Sequence, residues 1–236
     1  MRFRVLWDQH ERCPYLPDRT ARLPLRVPLD PVAPSDFDAL LAAGERRSGR
    51  MMYRTQCPSC AACVPLRVPV ADHAPTPSQR RVWRRNEGDV RVAVGPPVVD
   101  EVRLNLYNRH KIERGLSTDD QPITALGYRT WLVDSCADSR EVRYYVGDRL
   151  VAVSVLDVGL EAASSVYHYF DPDESRRSLG VFSVLAEIEV CRQWGLRWYY
   201  LGFWVEQCRS LAYKANYWPH ERRERGEWRR VSGPEK

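Results

Sequence analysis

The sequence predicts an α+β protein in two parts, a small Cys-rich N-terminal domain followed by a larger mixed-sheet domain. The 236 residues, 44% of them hydrophobic, are enough for two parts that each bury a core. Three cysteines at C-x2-C-x2-C spacing and the excess of positive charge lie in the N-terminal part. After residue 95 the pattern changes to short β-type runs and amphipathic helices, which is typical of a mixed sheet.

The segment Val94-Gly95-Pro96-Pro97 marks the expected domain boundary, because glycine and paired prolines interrupt regular structure. We therefore expect residues 1–94 to form the Cys-rich basic domain and residues 95–230 the mixed-sheet domain. Residues 231–236 are expected to be a disordered tail.

The first helix is expected to open at Ser35, because residues 35–38 have the pattern of a capping box. It should run through Ala43 and stop at Gly44. Residues 51–70 contain three prolines and lack a helical period, which favours extended structure around the cysteines.

Residues 78–86 are predicted to form a helix with two different faces. At about 100° per residue, its four arginines fall within an arc of roughly 140°, while Val82 and Trp83 lie on the opposite side. One face can pack against the protein while the other presents guanidinium groups. The arginines are Arg80, Arg81, Arg84 and Arg85.

The C-terminal part begins with a helix that Asp100 caps, that carries Val102, Leu106 and His110 on one face, and that stops at Gly115. The elements expected after it are strands at 141–146, 150–156 and 164–170, a helix with Val181, Leu185, Ile188 and Cys191 on its apolar face, a strand at 197–201 and a helix at 208–214. Three strands, helix, strand and helix is an order that resembles the acetyltransferase-like (GNAT) fold.

The three strands should be antiparallel neighbours, because their connections are short. Gly147 and Asp148 form the first of these turns. Val151, Val153 and Val155 alternate along the second strand and are expected on one face.

Positive charge is concentrated between residues 46 and 91, where ten arginines face three acidic residues. This segment carries a net charge of +7, and the whole chain only +5. Such a patch is the electrostatic footprint of a nucleic-acid or phosphate partner. The alternative for the arginines of the 78–86 helix is a solvated face without a partner.

The cysteine spacing predicts a metal site, since three thiolates two residues apart can converge on one centre. Cys13, which precedes a proline, is the candidate fourth ligand to Cys57, Cys60 and Cys63. An iron–sulfur cluster, a zinc ion and the absence of a permanent metal all remain open from the spacing. Cys136, Cys191 and Cys208 are expected to be small core residues.

The segment 176–182, Arg-Arg-Ser-Leu-Gly-Val-Phe, joins the third strand to a helix, where backbone amides can hold phosphate groups. Arg177 and Gly180 fit the diphosphate loop of acetyl-CoA-dependent enzymes, but Phe182 stands where that loop needs a small residue. This departure argues against acetyl-CoA as the ligand of the segment. The alternative is a purely structural segment in which Ser178 caps the helix.

Several segments of the chain resemble the aminoacyl-tRNA–protein transferases, and more closely the bacterial aspartate/glutamate leucyltransferases. The N-terminal matches are residues 46–49, Tyr53-Arg54, the three cysteines with residues 64–68, Ser78 to Arg81, and Arg85-Asn86. The C-terminal matches are residues 167–172, Arg-Ser-Leu-Gly at 177–180, residues 199–204, and 211–214 with Pro219. The chain departs from the family at Leu211, where methionine is usual, and over residues 109–120.

The resemblance implies transfer of leucine from leucyl-tRNA to the α-amine of proteins that begin with Asp or Glu, which marks them for degradation. Leucyl-tRNA and such proteins are then the expected partners. An aminoacyl ester is already activated, so positioning, an oxyanion donor and a modest base suffice, and no cofactor is required for the chemistry. Relatives in the wider family have been linked to an iron–sulfur cluster, although the eukaryotic members use a different cysteine pattern.

Site residues are assigned by chemical role. An acidic acceptor side chain needs an arginine fork or a lysine. The candidates for that contact are Arg46, Arg47, Arg80, Arg81 and Lys214, and we expect Arg80 or Arg81 to face Lys214 and Tyr213. The aromatic residues expected near the aminoacyl end are Tyr167, Tyr200, Trp204 and Tyr213. The candidate proton acceptors are His168, Asp171 and Glu206. The expected tRNA contacts are Arg50, Arg84, Arg85 and Arg177.

Three rival functions remain open from the sequence. They are arginyl transfer from arginyl-tRNA, acetyl-CoA-dependent N-acetylation, and RNA binding by a non-enzymatic metal ribbon. No apolar run approaches the ~18 residues of a membrane span, so no membrane association is expected and the location is taken as cytoplasmic. A monomer is assumed.

Overall fold

The structure is a computed structural model, which describes residues 1–116 and 121–233. The strands are Phe3–Trp7 (β1), His10–Arg12 (β2), Thr20–Arg22 (β3), Leu25–Pro28 (β4), Arg46–Ser48 (β5), Met51–Tyr53 (β6), Val64–Pro69 (β7), Val90–Gly95 (β8), Asp138–Val146 (β9), Arg149–Val158 (β10), Ala162–Phe170 (β11), Trp198–Trp204 (β12), His220–Glu224 (β13) and Glu227–Val231 (β14). The α-helices are Pro34–Ala42 (α1), Pro77–Asn86 (α2), Glu101–Glu113 (α3), Ala125–Tyr128 (α4), Leu179–Gln193 (α5) and Arg209–Ala212 (α6). Short 3-10 helices cover Pro172–Arg177 and Tyr213–Asn216, and a π-helical turn covers Arg129–Val133.

One large sheet dominates the fold and has the strand order β14-β13-β7-β12-β11-β10-β9-β8. Its neighbours pair antiparallel except β11 and β12, which are parallel. The mixed α+β class is therefore confirmed. Strands β7 and β8 come from the N-terminal part, so the boundary expected at residues 94 and 95 falls within a continuous sheet.

The sheet carries packed helices on both faces. Tyr144 lies in a core cluster with α5, against which Val82 and Trp83 of α2 also pack. Tyr145, the next residue of β9, packs against the cluster of α3 and α4 instead. Since successive strand residues point to opposite faces, the two clusters lie on the two sides of the sheet.

The remaining N-terminal strands form smaller sheets. β1, β4, β6 and β5 pair in that order, and β2 pairs with β3. A third core cluster joins Phe37 and Leu41 of α1 to Met52 of β6 and to Tyr200 of β12. This packing holds β5 and β6 against the large sheet.

The first helix is where expected, but its predicted cap is wrong. Helix α1 starts at Pro34 and its N-cap, Ala33, makes no side-chain cap bond. Asp38, the expected capping-box carboxylate, instead accepts hydrogen bonds from the backbone amides of Leu160 and Glu161. Proline suits a first helical turn because its missing N–H is unpaired there anyway.

Helix α2 confirms the prediction of two faces. Thr76 and Gln79 form a capping box at its start. Its four arginines are exposed, while Val82 and Trp83 are half-buried against the core. In α3, Asp100 caps as expected and Leu106 and His110 are buried, but Val102 is 57% exposed.

The strand predictions for β9 to β12 are confirmed with small differences at the ends. Val153 and Val155 share one cluster, but Val151 packs in the other, because the pairing with β9 shifts between Leu150 and Ala152. β14 extends to Val231, the first residue of the expected tail, and residues 234–236 lie outside the described residues. None of the helices within the described ranges is long and apolar enough to span a bilayer.

Candidate active site

The parallel strands β11 and β12 separate part-way along their length. They pair only between Ala162–Ser164 and Trp198–Tyr200, beyond which no pairing joins them. We call the gap between residues 165–170 and 201–204 the strand opening. Gly202 lies at its edge with φ +94°, a backbone conformation that only glycine adopts without strain.

Arg46 of β5 reaches into the strand opening from the small N-terminal sheet. Its guanidinium donates to the Ser164 hydroxyl and to the Ser165 carbonyl oxygen, at the point where β11 leaves β12. Burial lowers the pKa of Arg46, although the surrounding Tyr53, Asp157 and Tyr15 act in the opposite direction. The N-terminal residues thus complete a site on the large sheet.

Lys214 enters the same place from the short helix after α6. Its ammonium donates to the Phe203 carbonyl oxygen at 3.1 Å. A Cβ built on Gly202 would lie 3.1 Å from Arg46 Nη2 and 3.2 Å from Lys214 Nζ, so both cations flank one point. Burial, and next the charge of Arg46, lower the pKa of Lys214 to about 7.

The Arg46–Lys214 pair has no counter-ion bonded to it in the described part of the chain. Within residues 1–116 and 121–233 neither side chain forms an ion pair with a carboxylate, and the bonds that they donate go to neutral oxygens. The nearby carboxylate of Asp157 is bonded to Arg47. Two desolvated cations side by side repel each other and are stabilised by an anion that enters between them.

Tyrosines and cysteines surround the Arg46 side of this pair. Tyr53 lies opposite Arg46 in the β5–β6 register, and its ring meets Phe203 edge-on at 6.2 Å. Burial raises the pKa of both Tyr53 and Tyr15. These hydroxyls therefore stay protonated at neutral pH and can act as neutral hydrogen-bond donors.

The predicted cysteine ligands are neighbours, but they do not assemble a metal site in the described part of the chain. Burial raises the pKa of the Cys63 thiol to about 12, and the thiols that add to this are Cys13, Cys57, Cys60 and Cys208. No group of three or more His, Cys, Asp or Glu residues in the described ranges could hold a metal ion. Because Cys208 is one of the thiols that act on Cys63, it lies beside the cysteine loop rather than in the core as expected.

A buried hydrogen-bond network lies behind the strand opening. Glu187 of α5 accepts bonds from the hydroxyls of Tyr144 and Tyr199, and Ser154 connects Tyr144 to Nδ1 of His168. Burial is the main cause that raises the pKa of Glu187 to about 7. The network therefore holds the buried carboxyl group of Glu187 on the α5 side of the sheet, where it does not line the strand opening.

The three predicted proton acceptors have different environments. Burial lowers the pKa of His168 to about 3, so its imidazole is neutral but accepts protons poorly at neutral pH. Asp171 is buried and ion-paired with Arg149 and Arg109. Glu206 is exposed after the end of β12. The structure does not bring the three together.

Among the predicted acceptor contacts, Arg46 and Lys214 meet, but Arg80 and Arg81 do not join them. Both lie on the exposed face of α2, where Arg80 donates to the Pro75 carbonyl oxygen, and neither bonds to Lys214 or Tyr213 among the described residues. Arg47 is buried, and its guanidinium donates to Asp157 and to the backbone oxygens of Gly49, Trp131 and Asp134.

Some of the predicted aromatic residues are buried in the core, and others lie nearer the surface. Tyr167 packs between Tyr107 and Trp131, and Tyr200 is buried with its hydroxyl bonded to Arg67. Trp204 is half-buried beneath the guanidinium of Arg222, at 4.0 Å. Tyr213 is exposed on the short helix that carries Lys214 and lines a cavity.

The predicted tRNA contacts are mostly open to solvent. Arg50, Arg84 and Arg85 are exposed. Arg177 instead forms ion pairs with Asp89 and Glu174, which tie the segment before α5 to the end of α2. Ser178 takes the N-cap position of α5 with φ +54° and makes no side-chain cap bond, so the expected capping role is wrong.

Sequence reasoning missed Glu187 and Ser164. Glu187 lies just outside the apolar face predicted for α5, so the period alone does not indicate that its carboxyl group is buried. Ser164 carries no local signal, because its partner is 118 residues away in the sequence.

Comparison with known proteins identifies the family. The model of the arginine-tRNA-protein transferase C terminus matches residues 102–224, and that of the N terminus matches residues 11–81. The chain belongs to this family. It is therefore an enzyme of the aminoacyl-tRNA–protein transferase type.

Two relatives carry the name aspartate/glutamate leucyltransferase. The protein of Acinetobacter baumannii (strain AYE) is 36% identical over 93% of this chain and 81% of its own length. That of Chromobacterium violaceum is 36% identical over 92% of this chain and 89% of its own. The structure of L-PGS from Bacillus licheniformis covers 61% of this chain and 47% of that chain at 11% identity, with a TM-score of 0.44, which is too low to support a fold assignment.

Proposed function

We propose that this enzyme transfers leucine from leucyl-tRNA to the α-amino group of proteins that begin with Asp or Glu. The observation that carries the proposal is the Arg46–Lys214 pair, two half-buried cations that have no carboxylate partner among the described residues. We call the space between these two cations the niche. A single acidic side chain is an anion that fits into it. The guanidinium supplies a fork of donors and the ammonium a point charge.

The reaction is an aminolysis. The free α-amine attacks the leucyl ester carbonyl, an amide bond forms, the ester C–O bond breaks, and the proton from the amine ends on the released ribose oxygen. The activated ester needs positioning more than covalent catalysis. The niche would hold the acceptor by its side chain, which fixes where its α-amine lies. No step is assigned to a metal.

Lys214 couples acceptor binding to protonation. With a pKa of about 7, it is only partly charged at neutral pH. A carboxylate held between Arg46 and Lys214 favours the charged ammonium and so raises that pKa. Acceptor binding at pH 7 to 8 should therefore take up a fraction of a proton.

The positive niche also bears on the donor. An arginyl group would bring a third cation to the strand opening, where repulsion opposes it. A leucyl side chain adds no charge, whereas the α-amino group is common to both donors. The two relatives named leucyltransferases agree with this choice. The finer fold, a Cys-rich N-terminal domain before an acetyltransferase-like sheet, is part of the same proposal and is supported by the separated parallel strands β11 and β12.

The test compares donors and acceptors in one assay. The protein is incubated with radiolabelled leucyl-tRNA, arginyl-tRNA or acetyl-CoA and with peptides that start with Asp, Glu, Asn or Lys. We expect label only from leucyl-tRNA and only on Asp and Glu peptides. Transfer from arginyl-tRNA at an equal or higher rate, or acetylation, would overturn the proposal.

A further inference from the structure

A cavity of about 320 Å³ lies between α2, the start of α5 and the chain after α6. Its walls include the aromatic rings of Tyr213, Tyr217 and Trp218. Its rim carries the hydroxyls of Thr76 and Ser78. The volume is at the lower end of the ~300–1,000 Å³ typical of small-molecule sites.

The chemistry of this cavity suits a nucleoside. Proteins hold unstacked bases against aromatic and apolar side chains and bond their edges with hydroxyl and amide groups. The lining also includes the apolar side chains of Val82 and Val181 and the amide of Asn216. A charged ligand is not favoured, since the lining residues are all uncharged.

The cavity lies next to the strand opening. Tyr213 forms part of its wall, and Lys214, the following residue, is half of the cation pair. Because these two residues are consecutive, a nucleoside held here lies beside the place where that pair would hold the acceptor. The exposed arginines of α2 lie within two helical turns of Gln79, which is also in the wall, and can bind the phosphates that precede the nucleoside.

A second cavity, of about 260 Å³, lies on the other side of α2 and provides a comparison. Its charged lining residues are three arginines and two carboxylates, namely Arg80, Arg84, Arg192, Glu87 and Glu189. It has one large aromatic ring, Trp83, where the first cavity has three, so it offers a base less stacking surface.

We propose that the cavity beside Tyr213 binds the 3′-terminal nucleoside of the aminoacyl-tRNA. This inference rests on the proposed function and specifies where the 3′ end of the donor tRNA binds. It makes the short helix Tyr213–Asn216 the divider between the donor, on the Tyr213 side, and the acceptor, on the Lys214 side.

The experiment measures binding of two uncharged tRNAs by competition, one intact and one without its terminal adenosine. Ser78→Trp places an indole at the cavity rim from an exposed position, so the core is untouched. Glu87→Trp is the matched control, because it adds the same side chain at the second cavity. Val181→Trp blocks the first cavity from its opposite wall, and thermal unfolding checks that each variant is folded.

We expect the native protein and Glu87→Trp to bind intact tRNA about tenfold more tightly than the shortened tRNA, which is typical of one stacked base. Ser78→Trp and Val181→Trp should bind both tRNAs equally. An unchanged preference in both folded blocking variants, or no preference in the native protein, would overturn the inference. Absence of leucine transfer in the native protein would overturn the proposed function alone, because the binding measurement does not depend on transfer.

Discussion

Arg46 and Arg47 are adjacent residues of one short strand, yet their surroundings are opposite in sign. Arg47 is buried against Asp157, with side chains 1% exposed on both partners. Arg46 donates to two neutral oxygens, those of Ser164 and Ser165, and shares its space with Lys214. The alternation of strand side chains produces this difference, because neighbours in a strand point to opposite sides.

The comparison separates a structural arginine from a functional one. A buried cation with its own carboxylate is complete without a ligand, whereas a cation beside another cation costs stability until an anion arrives. Natural proteins retain such unfavourable groups where function needs them. The following predictions compare the two kinds of residue, beginning with the largest effect.

Replacing Arg47 with alanine should have the largest effect on stability. The change leaves Asp157 buried without its cation, and breaking such a pair costs about 3–5 kcal/mol. The free energy of unfolding from urea titration measures this loss. Arg46→Ala, as its matched control, should lose less than about 1 kcal/mol. A similar loss in both variants would remove the distinction drawn here.

Lys214→Met should raise stability while it lowers activity. The folded-state pKa of Lys214, about 7, is below the ordinary value of 10.5, so the folded protein disfavours the charged form. The penalty is therefore complete below pH 7 and fades as the pH rises from 7 towards 10.5. We expect a gain of about 2 kcal/mol at pH 6, allowing for partial contact with solvent.

Urea titrations of Lys214→Met and the native protein at pH 6 and pH 9 check this prediction. The difference between the two proteins should shrink at pH 9. A variant that is less stable than the native protein at pH 6 would show that the ammonium is a structural group.

The arginines of α2 should show the smallest and most uniform effect. Arg84→Ala with Arg85→Ala removes two exposed guanidinium groups, so tRNA binding should weaken and the slope of log K against log salt should fall by roughly 1.5. Acceptor-peptide affinity should not change. Filter binding from 50 to 300 mM salt measures the slope, and an unchanged slope would assign this face to solvent alone.

Much of the fold follows from local pattern. Helix α2 has one apolar and one basic side, and β9 to β11 are apolar runs with short turns, so both were predictable. Strands β13 and β14 were not, since His-Glu-Arg-Arg-Glu and Glu-Trp-Arg-Arg-Val lack the apolar alternation that identifies strands. They pair beside β7 at a sheet edge, where charged residues are common.

The site was harder to predict, because long-range packing assembles it. The sequence named Arg46 and Lys214 but placed Arg80 or Arg81 beside the lysine. The packing of β5 against the separated strands β11 and β12 decides which arginine enters the strand opening. No local sequence pattern predicts that contact. The same holds for Arg47, whose carboxylate partner is 110 residues away.

The most direct test of the central claim is the ratio of kcat/KM for Asp-peptide over Asn-peptide transfer, measured for the native protein, Arg46→Ala and Arg81→Ala. Both peptides have the same shape, so the ratio reports the charge contact alone. We predict that Arg46→Ala lowers the ratio about 100-fold, equivalent to about 3 kcal/mol, and that Arg81→Ala leaves it unchanged. A ratio that survives in Arg46→Ala but falls in Arg81→Ala would contradict the account and return the acceptor site to α2.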